Sequence, residues 1–164
     1  MTLAEAAVQA DGLAQQGSER ELAQLRSQWG DELESAARSP DYRERAVAYR
    51  AIGQFRFRQK LELLRRGIED ESPACRGSAL LSLELLSREH PGAVNAARSL
   101  LHTIVSDGEE NPAVRRLAVA CLKNGSPQRD TIVILDGLAA DDDEDRELRA
   151  AAKRVAEQLK KKGR

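Results

Sequence analysis

The chain has 164 residues, enough for one domain with a substantial core, and its net charge of −1 gives no general attraction to nucleic acid or anionic lipid. Hydrophobic residues make up 41%, charged residues 32% and aromatic residues only 3%, which excludes a disordered chain and favours helices over sheets. No segment approaches the roughly 18 consecutive apolar residues of a membrane span, and residues 1–13 lack the pattern of a signal peptide. We expect a soluble, cytoplasmic protein that does not contact a membrane.

The first half of the chain predicts three helices before residue 55. A short one, Leu3 to Gln15, is expected to cover one end of the fold. The next begins near Ser18, because Ser18 and Glu21 have the spacing of a capping box. The third is expected to stop at Gly53, since glycine is the commonest residue at helix ends.

Three further helices are predicted by apolar residues at helical spacing. They span Phe57 to Ile68, Gly92 to Val105, and a segment that starts at Ser126–Pro127. Asn124–Gly125 looks like a helix stop signal for the segment that ends just before Ser126.

An internal repeat emerges when four segments are aligned on one arginine each. They are DYRERAVAYRAI (41–52), SPACRGSALLSL (72–83), NPAVRRLAVACL (111–122) and DRELRAAAKRVA (145–156), with Arg45, Arg76, Arg115 and Arg149 aligned. Four residues before each arginine stands a helix-capping residue: Asp41, Ser72, Asn111 or Asp145. Three residues after it comes alanine, and seven after it comes an apolar residue: Ile52, Leu83, Leu122 or Ala156. The small residue lets a neighbouring helix approach closely, so each segment predicts a helix packed against others.

These arginine-bearing helices, here called B helices, each follow a partner helix, so the chain reads as about four two-helix repeats behind an N-terminal helix. Such pairs cannot bury their apolar faces alone, and stacking them gives an all-α, right-handed α-α superhelix. We predict a single domain over 1–164, with a capping helix at 1–17 and helical pairs at 18–55, 56–89, 91–124 and 126–162.

The repeat resembles the HEAT repeats of armadillo-type proteins, in the short variety found in phycobilisome-lyase-like proteins. Their second helix typically reads D-x-[DSN]-P-x-V-R-x-x-A, and SDGEENPAVRRLA (106–118) and EDESPACRGSA (69–79) come closest to it. The first and last repeats lack the proline, and Glu44 stands where an apolar residue is usual. The resemblance implies that the four aligned arginines are structural and join adjacent repeats through turn acids: Asp70, Asp107 and the 141–145 run.

Residues for chemistry are sparse. Cys75 and Cys121 lie far apart in helical patterns, which favours buried thiols over a disulfide, and His90 and His102 have no partner at metal-ligand spacing. The acidic run at 141–145 lacks the glycine and the final glutamate of a calcium loop, so solvated acids beside a helix start are the simpler interpretation. The sequence predicts no enzyme, no cofactor and no metal site.

A binding surface is predicted on the concave side, which the B helices line in HEAT stacks. The stripe of each B helix that faces away from the core contains small residues and recurring bases, which suits an acidic helix or peptide. Its candidate partner-binding residues are Arg43, Arg50, Leu81, Arg116, Lys123 and Arg154. The alternative is that the stripe simply faces water and that Leu81 packs on neighbouring helices.

A second candidate surface is the basic strip at 38–66, which has nine basic and three acidic residues, a net charge of +6. It predicts nucleic-acid association as the alternative function, with a steep salt dependence. The flanking stretches 1–37 and 67–111 each carry −5, so the blocks could instead neutralise one another between layers. The sequence is compatible with a monomer or a weak dimer.

Overall fold

In a computed structural model that describes all of residues 1–164, the chain forms nine α-helices and no strand, which confirms the all-α prediction. A 3₁₀ turn, Arg58–Lys60, precedes the fourth helix. The residues group into two compact units, unit 1 from Met1 to Leu86 and unit 2 from Ser87 to Arg164. In chain order the helices are α1 (Leu3–Gln16), α2 (Glu19–Ala37), α3 (Tyr42–Gln54), α4 (Leu61–Ile68), α5 (Pro73–Ser87), α6 (Gly92–Ser106), α7 (Pro112–Leu122), α8 (Arg129–Ala140) and α9 (Arg146–Lys162).

Unit 1 begins with α1, which packs against both α2 and α3. Gly17 ends α1 in the left-handed conformation, with φ of 74°, a conformation that glycine adopts at little cost. Ser18 is the N-cap of α2, but its side chain accepts no capping bond, so the predicted capping box is wrong. The main chain of Ser18 instead bonds back to Leu13, which closes the α1–α2 turn without the serine hydroxyl.

Gly53 does not stop α3, contrary to the sequence prediction, because the helix continues to Gln54. The glycine is there for packing: a Cβ at this position would lie 2.7 Å from Cα and Oγ of Ser82 in α5. Its main-chain N–H donates to Ser82 Oγ at 2.9 Å, and the same hydroxyl donates to the carbonyl oxygens of Tyr49 and Arg50. The B helices α3 and α5 therefore meet at backbone distance.

The chain turns after α3 at Arg56, a non-glycine residue with a positive φ of 58°. The predicted helix from Phe57 starts later than expected, since residues 58–60 form the 3₁₀ turn and α4 begins at Leu61. Guanidinium Nη1 of Arg56 bonds to the carbonyl oxygens of Gly53 and Gln54 and to Asp11 of α1, so this side chain holds the turn in place.

Unit 2 contains α6 to α9, in which α6 packs on α7, α8 on α9, and the B helix α7 on the B helix α9. The helix α8, which is the partner helix of the last repeat, starts at Arg129 and not at the predicted Ser126–Pro127. Ser126 stays outside the helix because both its N–H and its hydroxyl bond to Asn95 Oδ1 of α6. Gly125 is buried against α6, where a Cβ would come within 2.7 Å of Val94.

The repeated positions of the sequence are the buried positions of the B helices. The four alanines that follow the aligned arginines, Ala48, Ala79, Ala118 and Ala152, are completely buried, and the apolar residues one turn later are buried as well. Cys75 and Cys121 are buried free thiols, and burial raises the pKa of Cys75. The core of each unit thus lies along the stripe that the repeat alignment indicates.

Candidate partner-binding surface

The aligned arginine of α3 holds the turn between α4 and α5. Arg45 donates from Nε and Nη2 to the two carboxylate oxygens of Asp70, at 2.9 and 3.1 Å, and from Nη1 to the carbonyl oxygens of Ser39 and Pro40. The bond to Asp70 raises the pKa of Arg45. Burial works to raise the pKa of Asp70, but the hydrogen bonds from Arg45 and the N–H of Ser72 hold it below the usual value. Two helical pairs of unit 1 are joined by this paired charge.

Arg115 of α7 makes the corresponding contact in unit 2 and is more deeply buried, with 4% of its side chain exposed. Its Nη1 and Nη2 donate to the two oxygens of Glu144, at 2.8 and 2.9 Å, in the turn before α9. Nε and Nη2 also donate to the carbonyl oxygen of Val105, at 3.2 and 2.8 Å. The bond from Arg115 lowers the pKa of Glu144.

The other two aligned arginines contact their own turns. Arg76 donates to the carbonyl oxygen of Asp70 at 2.7 Å, and Arg149 donates to the exposed carboxylate of Asp142 at 3.0 Å. Members of the acidic run at 141–145 thus pair with bases or cap the turn and helix that follow them: Asp141 accepts from the N–H of Asp143, and Asp145 from that of Leu148. Three arginines of unit 2 pair with acids of this run: Arg115, Arg116 and Arg149.

Three of the six predicted partner-binding residues line one groove of unit 2. Arg116 and Lys123 of α7 face Arg154 of α9 across a groove of about 480 Å³, here called the α7/α9 groove. Its apolar lining is small and aliphatic: Val119, Ala120, Ala151 and Val155. Glu147 and Gln158 complete it, so the lining carries three basic groups and one acidic group.

The bases of the α7/α9 groove are not equivalent. Nη1 of Arg116 lies 3.3 Å from Asp145 and 3.4 Å from Glu147, so this guanidinium is held at the start of α9 by two carboxylates. Arg154 is exposed on α9 and forms no ion pair or hydrogen bond. A carboxylate that enters the groove can therefore pair with Arg154 without displacing an internal acid.

The stripe of α9 that the repeat alignment turns away from the core agrees with the lining at two of its four positions. Counting from Arg149, that stripe is Glu147, Ala150, Arg154 and Glu157, whereas the lining contains Glu147, Ala151, Arg154, Val155 and Gln158. The latter positions recur at the i, i+4, i+7 and i+8 spacing of a single helical face, and that face points to α7. Helical periodicity alone could have found this stripe only if the side on which α7 packs had been known.

The three predicted residues of unit 1 do not share a pocket. Arg43 is exposed at the start of α3 with its guanidinium carbon 5.7 Å from the ring centre of Tyr42. Arg50 is half-buried, and its Nη1 is inaccessible to solvent without a hydrogen-bond partner. Leu81 of α5 is 40% exposed, one of the few large apolar side chains that reach the surface.

The basic strip at 38–66 is neutralised in part within unit 1. Arg56 pairs with Asp11 at 2.8 Å, Lys60 with Glu34 at 2.6 Å, and Arg65 with Glu62 at 3.6 Å. Arg45 pairs with Asp70 and Arg43 lies 4.0 Å from Asp41, so five of the nine bases of the strip already have a carboxylate partner. These contacts reduce the positive charge that the strip presents to solvent.

Comparison with known proteins finds a similarity to a repeat family. A family model described as HEAT repeats matches residues 30–104, which confirms the HEAT resemblance for the stretch that holds the first two arginine-centred segments. Repeats of this kind are generally non-catalytic, and no catalytic family is identified. No curated protein matches the chain. None of the nine helices combines the length and apolar content that crossing a bilayer requires.

Proposed function

We propose that this chain, whose residues 30–104 match HEAT repeats, is a non-catalytic interaction scaffold that binds an acidic peptide or helix on its B helices. HEAT repeats commonly mediate protein interactions, and stacked repeats offer extended surfaces for them. The observation that carries the proposal is the α7/α9 groove, which brings Arg116, Lys123 and Arg154 together over an aliphatic floor.

The chemistry of the groove favours an acidic partner. Its lining has a net charge of +2, and the unpaired Arg154 presents five N–H donors in a fixed plane that suits a carboxylate. The floor of Val119, Ala151 and Val155 adds apolar contact for an aliphatic side chain of the same segment. A partner with glutamate or aspartate beside leucine or valine meets both requirements.

Arg50 of unit 1 adds less support than the α7/α9 groove, because its Nη1 is inaccessible to solvent and a partner's carboxylate cannot reach that atom. The nucleic-acid alternative at 38–66 has less support, because carboxylates of unit 1 already pair with Arg45, Arg56, Lys60 and Arg65.

The test uses two fluorescein-labelled amphipathic peptides that differ only in charge. The acidic probe has glutamate on its polar face and leucine on its apolar face, and the basic probe has lysine in place of glutamate. Fluorescence anisotropy at physiological salt should show saturable binding of the acidic probe. A charge-assisted hydrogen bond contributes about 1.5–3 kcal/mol, so Arg154→Glu should weaken binding by roughly tenfold or more.

The matched control is Lys153→Glu, which makes the same charge change at the neighbouring exposed position of α9, outside the groove. Its affinity for the acidic probe should stay within about twofold of the parent, because salt screens the interaction between the probe and a charge that it does not contact. An equal loss of affinity in Arg154→Glu and Lys153→Glu would mean that the acidic probe is attracted to positive surface in general. Absence of acidic-probe binding to the parent would contradict the proposal. A labelled duplex RNA added to the same assay tests the strip at 38–66.

A further inference from the structure

Unit 1 has a larger groove at its N-terminal end, and Arg43 is the one predicted partner-binding residue in its lining. It has a volume of about 1160 Å³ and is bounded by the first residues of α1, the second half of α2 and the start of α3. Leu3, Ala36 and Val47 give it an apolar floor, and Val47 is 39% exposed. We call this the N-terminal groove.

Three unpaired carboxylates line the N-terminal groove. Asp31 and Glu32 of α2 and Glu44 of α3 are exposed, and none of them forms an ion pair or a hydrogen bond through its side chain. Elsewhere in unit 1, acids such as Asp11 and Asp70 are paired with arginines. In the N-terminal groove, by contrast, three unpaired acids surround one apolar floor.

The two basic residues of the lining each lie near an acid of their own. Arg43 lies 4.0 Å from Asp41. Arg38 is close to Glu34, whose pKa is lowered mainly by its bond with Lys60 and further by Arg38. The uncompensated charge of the groove is therefore that of the three carboxylates.

The repeat register explains why the groove is open. The residue before the aligned arginine is buried in the other three B helices, as Cys75, Val114 and Leu148, but is the exposed Glu44 in α3. In α5, the thiol of Cys75 donates to the carbonyl oxygen of Tyr42, the first residue of the preceding B helix. In α3, which packs against α1, the corresponding Glu44 stays uncovered and lines the groove.

We propose that the N-terminal groove docks a basic amphipathic helix of another protein. An aliphatic side chain of that helix covers Val47, and its lysines or arginines pair with Asp31, Glu32 and Glu44. The proposal is independent of the α7/α9 groove, which selects the opposite charge.

The basic probe defined above tests this site on the full chain. It should bind saturably at physiological salt, and Asp31→Lys combined with Glu44→Lys should weaken it by about tenfold or more, because like charges placed opposite one another repel. The control variant combines Glu21→Lys with Glu69→Lys, two exposed and unpaired acids of unit 1 that lie outside the groove. Its binding should stay within about threefold of the parent, through salt screening of distant charges.

A methyl NMR spectrum locates the bound probe. The resonances of Val47 should shift on addition of the basic probe and stay unchanged with the acidic probe. Circular dichroism checks that both double variants fold, which is expected because the exchanged side chains are exposed and form no hydrogen bond or ion pair. Absence of saturable binding, equal losses in the two double variants, or unchanged Val47 resonances would each overturn the proposal. Self-association of the parent that disappears in Asp31→Lys/Glu44→Lys would identify a second copy as the occupant and overturn it too.

Discussion

Gly53→Ala tests whether close approach of α3 and α5 explains this glycine. Within an ordinary helix, replacing glycine by alanine stabilises the protein by roughly 0.5–1 kcal/mol, because glycine loses more backbone freedom on folding. Here the new methyl carbon would lie 2.7 Å from Cα and Oγ of Ser82 and 2.9 Å from its Cβ, whereas carbon atoms in contact lie about 3.5–4.0 Å apart. Because one of these atoms belongs to the backbone, the two helices have to separate.

Separation of the helices weakens the hydrogen bonds that Ser82 makes to α3. Overpacking of this kind costs about 1–3 kcal/mol, and a weakened hydrogen bond costs about 1 kcal/mol more. After the helix-propensity gain is subtracted, Gly53→Ala should destabilise the protein by about 1–3 kcal/mol. At about 2–4 °C per kcal/mol for a chain of this size, Tm should fall by roughly 2–12 °C.

Gly12→Ala is the matched control, since Gly12 also lies inside a helix of unit 1 but has nothing within 4 Å of its added Cβ. Its Tm should rise by about 1–4 °C. Thermal unfolding followed by circular dichroism at 222 nm measures both variants. A Tm of Gly53→Ala at or above that of the parent would refute the packing argument, because the helix-propensity gain would then have met no steric opposition.

Three other predictions concern charged groups of unit 2. Glu144→Gln should lower the free energy of unfolding in urea at pH 7 by about 1.5–3 kcal/mol, since it removes the carboxylate that pairs with the buried Arg115. Asp142→Asn, at the exposed pair with Arg149, should lower it by at most about 1 kcal/mol. The pKa of Glu144 in the folded chain is below its ordinary value of 4.5, so the stability from this pair is complete above pH 4.5 and is lost as pH falls through the lowered pKa. The unfolding free energy of Glu144→Gln should therefore fall less steeply with acid than that of the parent, and an equally steep fall would contradict this. Burial is the main cause that lowers the pKa of His102 from 6.5, and Arg98 lowers it further, so the parent should lose stability as pH falls from 6.5 to that lowered pKa. Urea unfolding of His102→Gln over the same pH range should show no such loss.

The sequence by itself determined the helical repeat. Spacing of caps, alanines and apolar residues around Arg45, Arg76, Arg115 and Arg149 depends only on the geometry of a helix and on which side of it is buried, so it could be found without knowing what packs on it. The all-α fold and the HEAT resemblance followed from that local pattern, and both are confirmed. Local signals failed where a distant residue intervenes: Asn95 holds Ser126 outside α8.

Only the tertiary structure decided which side chains share a surface. On α9 the groove keeps Glu147 and Arg154 of the predicted stripe but is lined by Ala151 and Gln158 in place of Ala150 and Glu157, because α7 packs beside that face. The role of Gly53 depends on Ser82, 29 residues later in the chain. The net charge of the segment 38–66 also overstates the charge that the basic strip presents, because Asp11, Glu34 and Asp70, which pair with its bases, come from outside the segment. Helical periodicity in the sequence indicates which face of each helix is buried. Ion pairs, close helix contacts and grooves form between different helices, and the separation of two residues along the sequence does not give the distance between them in the fold.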